Sequence, residues 1–69
     1  MITIAELRAR NNKMSQQELA KELGVNVGTI ARWERDITTI SGTSLKKLAI
    51  YFDVSADSLL GINDKNFSA

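Results

Sequence analysis

The chain has 69 residues, nine Lys and Arg against eight Asp and Glu, and neither cysteine nor histidine. At this length one domain is expected, burying roughly 60% of the surface its unfolded chain exposes, and no disulfide or conventional zinc site can supplement the core. Without a thiolate or an imidazole, enzymatic chemistry is disfavoured and no metal or cofactor is expected, while a net charge of +1 means that any basic surface must be arranged locally.

The elements predicted from the pattern are all helical. Thr3, Ile4, Ala5 and Glu6 form a capping box, in which the Thr hydroxyl accepts from an early backbone N–H and the acid reaches back to the cap. A helix therefore starts at Thr3, with Ile4 and Leu7 on its inner face. Ser15-Gln-Gln-Glu18 is a second capping box, followed by Leu19, Ala20 and Leu23 at helical spacing and then Gly24, which ends a helix over about 16 to 23. Asn26 is a good N-cap for the next helix. Two short helices joined by a tight glycine turn make a helix-turn-helix unit.

Ser41 caps a fourth helix with Leu45, Leu48, Ala49 and Phe52 in one stripe, ended at Asp53 and Val54. Ser55 caps a short fifth carrying Leu59 and Leu60, closed by Gly61. No period-two alternation and no hairpin turn competes. The expectation is an all-α, compact five-helix domain over 1–62, with a flexible C-terminal tail over 63–69. With no 18-residue apolar run, no leader pattern and no cysteine, a soluble cytoplasmic protein is expected and a membrane partner is not.

The third helix carries the functional question. Taking about 100° per residue from Gly28, Arg32 falls near about 40°, Arg35 about −20° and Ala31 about −60°, whereas Trp33, Ile37 and Ile30 fall at about 140° to 200°. The front is small and basic and the back is bulky. A helix with such a front suits the DNA major groove, where guanine offers O6 and N7 to a bidentate Arg; an ordinary solvated surface helix has the same wheel. Trp33, opposite the basic side, reads as a core anchor whose loss costs on the order of 3 to 5 kcal/mol. Glu34 borders the core and is expected to pair with an arginine of the first helix.

SQQELAKELGVNVGTIARWE, from Ser15 to Glu34, resembles the Cro and lambda-repressor-like helix-turn-helix family, also called the XRE family, and LKKLAIYFDVSADSLLG is similar to that family's fourth and fifth helices. The resemblance implies a lambda-repressor-like fold with the helix-turn-helix formed by helices 2 and 3. It also implies a sequence-specific transcriptional regulator: a small phage-type or mobile-element repressor that binds double-stranded DNA at a palindromic operator as a homodimer through the C-terminal helix. Gln16 matches the position that contacts a phosphate. Asn26, Val27, Gly28, Thr29 and Arg32 match positions at or near the groove, and Gln17 and Arg35 complete the DNA-binding set. Val27 can meet a thymine methyl and Arg32 a guanine, whereas Gly28 offers no side chain to read with.

Three departures mark this chain. The connection ARNNKMS is one residue longer than the common pattern, leaving Arg8 and Arg10 as alternative partners for Glu34. The segment RDITTIS lacks the usual Asn-Gly and proline, and Gly28 stands where many relatives carry a reading side chain. A second function is thus weighed beside the first, that of a modulator or antirepressor in contact with another regulator protein. An enzyme is the remote third: Ser44 with Lys47, or Ser58 with Asp57, lacks a base relay and an oxyanion site.

Overall fold

The computed structural model describes residues 2–61. Five α-helices follow in order: α1 Ile4–Arg10, α2 Gln16–Leu23, α3 Val27–Arg35, α4 Gly42–Phe52 and α5 Ala56–Leu60, with a 3₁₀ turn at Ile37–Thr39 between α3 and α4. The described residues include no strand, and α2 packs directly against α3. The expected tail over 63–69, and Ile62 before it, lie outside the described residues.

Both capping boxes form. Thr3 Oγ1 accepts from the Glu6 N–H at 3.1 Å, and Ser15 Oγ accepts from the Glu18 N–H at 3.0 Å while Glu18 Oε1 accepts from the Ser15 N–H at 2.8 Å. The Ser15 backbone and side-chain hydrogen bonds hold the Glu18 carboxyl below its usual range. Ser41 and Ser55 cap α4 and α5 in the expected way, accepting from the N–H groups of Ser44 and Ser58. At the end of α2, Gly24 takes φ +72° and the Val25 N–H bonds back to the Ala20 carbonyl at 2.9 Å. This is a Schellman closure, and it turns the chain into α3 within three residues.

Every α-helix contributes to one core. Ile4 and Leu7 of α1, Leu19 and Ala20 of α2, Ile30 and Trp33 of α3, Leu48 of α4 and Leu59 of α5 are buried together, and no polar or charged described residue is buried with them. Trp33, at 3% exposure, is the anchor its wheel position predicts. Leu45, Ala49 and Phe52 of α4 pack on this core from its edge. The N-terminal strap is tied to α5 by the Ile2 N–H, which bonds to the Ser58 carbonyl at 3.1 Å.

Three details depart from expectation. Ile37 is not on the back of α3, which ends at Arg35: Asp36 is extended and its carboxylate caps the 3₁₀ turn through the Thr38 N–H and hydroxyl, holding that carboxyl below its usual range. Ile37 still packs on the core from the turn, so RDITTIS is an ordered segment. Asn26 sits at the N-cap of α3 but its side chain makes no cap hydrogen bond. The longer α1–α2 connection puts two consecutive residues, Asn12 at φ +57° and Lys13 at φ +56°, in the left-handed region.

Candidate nucleic-acid interface

The site is built around α3. Its back is locked into the core by Ile30 and Trp33, at 0% and 3% exposure, so its orientation is fixed by apolar packing. The front is left to solvent. Asn26, Val27, Gly28, Arg32 and Arg35 are exposed, Thr29 and Ala31 are half-buried, and Val27 shows 46% of its surface, unusual for a valine on a well-packed domain. Neither Arg32 nor Arg35 has a hydrogen-bonding or ionic partner among the described residues.

Gly28 is not required by the backbone or by packing. Its φ lies outside the left-handed region, and a Cβ added there meets nothing within 4 Å. A glycine inside a helix costs roughly 0.5 to 1 kcal/mol relative to alanine. What the glycine provides is an unobstructed front on the first turn of α3.

Gln16 begins α2 half-buried, and its Nε2 donates to Glu34 Oε1 at 2.9 Å. Glu34 is held from the other side by Arg8, whose Nε donates to Oε2 at 2.7 Å and whose Nη2 donates to Oε1 at 3.0 Å; Nη1 of the same guanidinium donates to the Met14 carbonyl at 2.9 Å. Of the two alternatives, Arg8 is thus the partner of Glu34, and Arg10 stays exposed. Partial burial pushes the Glu34 carboxyl up, but the hydrogen bonds of Arg8 and Gln16 and the Arg8 charge outweigh it and hold the group below its usual range. The hydrogen bond to Glu34 raises the Arg8 guanidinium in turn.

The space between the first turns of α2 and α3 is an open groove lined by Ser15, Gln17, Lys21, Asn26 and Val27, among others. The backbone N–H groups of Gln16, Gln17, Val27 and Gly28 have no acceptor among the described residues. Two helix N-termini thus present bare donors and their dipole ends beside it. Lys21 lies beside the expected residues of this groove without being one of them. It follows Gln17 by four residues, a spacing that puts both on one side of α2 and could have drawn it in.

Of the serines weighed above, Ser44 and Ser58 donate their N–H groups to the Ser41 and Ser55 caps, and Ser55 Oγ donates to Ser58 Oγ at 2.9 Å. No described helix is long and apolar enough to cross a membrane.

A family model described as helix-turn-helix matches residues 4–59, from the first residue of α1 to the buried Leu59 of α5. The chain belongs to the Cro and lambda-repressor-like helix-turn-helix family. No curated protein and no solved structure gives a match. As a helix-turn-helix protein of the XRE type it is a DNA-binding transcription regulator, with α2 and α3 forming the unit that names the family.

Proposed function

We propose that this helix-turn-helix protein is a small repressor of the phage or mobile-element type that occupies a palindromic operator, with α3 in the major groove. The supporting observation is the division of α3 into a back sealed in the core and a front of Val27, Gly28, Arg32 and Arg35 whose side chains have no partner among the described residues. Arg32 reads guanine through O6 and N7, Val27 meets a thymine methyl, and Gly28 lets the helix approach the base edges closely. The free backbone N–H groups of Gln16 and Gln17, with the Gln17 side chain, hold a phosphate at the N-terminus of α2, Asn26 and Thr29 flank the first turn of α3, and Arg35 reaches the backbone further along. Two copies on one face of the DNA place their reading helices about 34 Å apart, matching two-fold operator symmetry.

Steering toward DNA then comes from local arrangement. The two bare helix N-termini and Lys21 supply positive potential at the groove, partly offset by Glu18 in its lining, and Arg32 and Arg35 add to it along α3, in a chain whose net charge is only +1.

The test is selection from a random DNA pool with the wild type and Arg32→Ala in parallel at low salt. The wild type is expected to recover a palindromic motif, and Arg32→Ala to relax one position per half-site, at about 1 to 3 kcal/mol. Affinity should fall with salt at a slope of about 0.9 per phosphate neutralised. Recovery of no motif by either protein overturns the reading. The second reading, a modulator or antirepressor of another regulator, is supported by how few reading side chains Val27, Gly28 and Arg32 provide; high-salt affinity for that regulator with no operator is its signature.

A further inference from the structure

Among the described residues three large apolar side chains stand exposed: Val27 at 46%, Ile50 at 69% and Tyr51 at 36%. Ile50 and Tyr51 are neighbours on α4, whereas Val27 opens α3, on the front proposed to meet base edges. Val27 belongs neither to the buried cluster nor to the partly buried shell packed on it, and Ile30 and Trp33 already anchor the helix. Nor does the first turn give it a polar helper of its own. Gly28 has no side chain and Thr29 is half-buried, while Asn26, whose side chain makes no cap hydrogen bond, stands just outside the helix.

We propose that Val27 reads a C5-methyl group and not the pyrimidine that carries it, so that 5-methylcytosine serves in place of thymine and cytosine methylation of the operator raises its occupancy. The inference rests on the major-groove reading above and names the chemistry to which that site responds. Thymine and 5-methylcytosine carry the same methyl on the same ring carbon. Beside it they differ, O4 accepting a hydrogen bond in one and N4–H₂ donating in the other. A side chain with a donor or an acceptor would tell the two apart; valine has neither, so its contact scales with the apolar area that it and the methyl remove from water. Uracil and unmodified cytosine lack that area.

The guanine and the methylated pyrimidine are separate positions of a half-site. Val27 and Arg32 lie five residues apart on α3, about 7.5 Å of helix rise, which spans roughly two base-pair steps. Arg32 thus supplies a reading fixed by hydrogen bonds, and Val27 one that a methyl group adds or withholds.

The test uses the full chain and palindromic duplexes built on the selected operator, with affinity read by fluorescence anisotropy at low salt. Val27→Ala in the selection marks the position that Val27 reads, expected to be a pyrimidine. Duplexes then differ there alone, carrying thymine, uracil, 5-methylcytosine or cytosine in both half-sites. Comparing thymine with uracil, and 5-methylcytosine with cytosine, keeps the hydrogen-bonding edge of each pair constant and isolates the methyl. Each methyl is expected to strengthen binding about two- to fourfold per half-site, or about four- to sixteenfold for the palindrome. In Val27→Ala both ratios should shrink to under about twofold, whereas Arg32→Ala should weaken all four duplexes and keep both ratios. Circular dichroism establishes that each variant folds. Cytosine methylation that leaves affinity unchanged or lowers it, ratios of full size in Val27→Ala, which would assign the effect to DNA shape, or a Val27→Ala selection that relaxes no pyrimidine overturns the proposal. Operator binding without either methyl effect overturns this inference and leaves the repressor reading standing; recovery of no operator overturns both.

Discussion

Arg8 grips Glu34 with two parallel hydrogen bonds across 26 positions of sequence, 2.7 Å from Nε to Oε2 and 3.0 Å from Nη2 to Oε1. The side chains are only 18% and 14% exposed, so this fork is far less screened than a surface pair. It joins α1 to the end of α3, and through Nη1 it also holds the Met14 carbonyl at the close of the irregular connection. Arg8→Ala leaves a mostly covered carboxylate without its cation and a carbonyl without its donor. A loss of about 2 to 4 kcal/mol is expected in denaturant unfolding, against less than about 0.5 kcal/mol for the exposed Arg10→Ala.

The same pair sets an acid limit. Glu34 is held below its ordinary value of 4.5, so the folded state binds its proton less readily than the unfolded chain does. Its contribution is fully present above pH 4.5 and is lost as pH falls through the lower folded value. Arg8 stays charged throughout, because its own value is raised. Melting curves from pH 7 to pH 3 should show Glu34→Gln less stable at neutral pH, by about 1 to 3 kcal/mol, with the gap to the wild type closing in acid. A gap of constant size across that range would assign the loss to packing.

Gly28→Ala separates fold from function. The added methyl enters open space and removes a helical glycine, so stability is expected to rise by about 0.5 to 1 kcal/mol. If α3 approaches DNA as closely as proposed, operator affinity should fall in the same variant, as read by fluorescence anisotropy. A more stable protein with unchanged affinity would remove Gly28 from the reading surface.

Lys13 offers a test of the long connection. At φ +56° a lysine pays a steric penalty of about 1 to 2 kcal/mol that glycine does not, against the roughly 0.5 to 1 kcal/mol by which glycine favours the unfolded chain. Lys13→Gly should therefore raise stability by about 0.5 kcal/mol in urea unfolding, where most surface changes to glycine lower it.

Much of this was legible in the residues because the fold is specified locally. The capping boxes at Thr3 and Ser15, the serine caps at 41 and 55, and the glycines at 24 and 61 act within one or two turns, and each marked a helix end found in the structure. The separation of Trp33 from Arg32 follows from helical rotation alone. Distant contacts were not legible. Nothing local distinguishes Arg8 from Arg10; in the structure Arg8 also holds Met14 in both directions, its carbonyl accepting from the Met14 N–H at 3.0 Å and its Nη1 donating to the Met14 carbonyl at 2.9 Å. The 3₁₀ turn was missed because its cap is an Asp side chain acting over two residues after a helix that had already ended. Leu59, by contrast, is expected in the core from the sequence and is found there, under the Ile2 strap.

Gln16 carries a consequence beyond stability. An amide side chain can present its two ends either way round, but an ionised carboxylate only accepts, so Glu34 forces the NH₂ end of Gln16 inward and leaves its carbonyl pointing away. The polarity this residue turns to an approaching phosphate is thus dictated by an acid on another helix. A protonated or amidated Glu34 would release that choice, making the orientation of the Gln16 amide a reporter, visible in its two NH₂ resonances, of whether the half-buried Glu34 is charged.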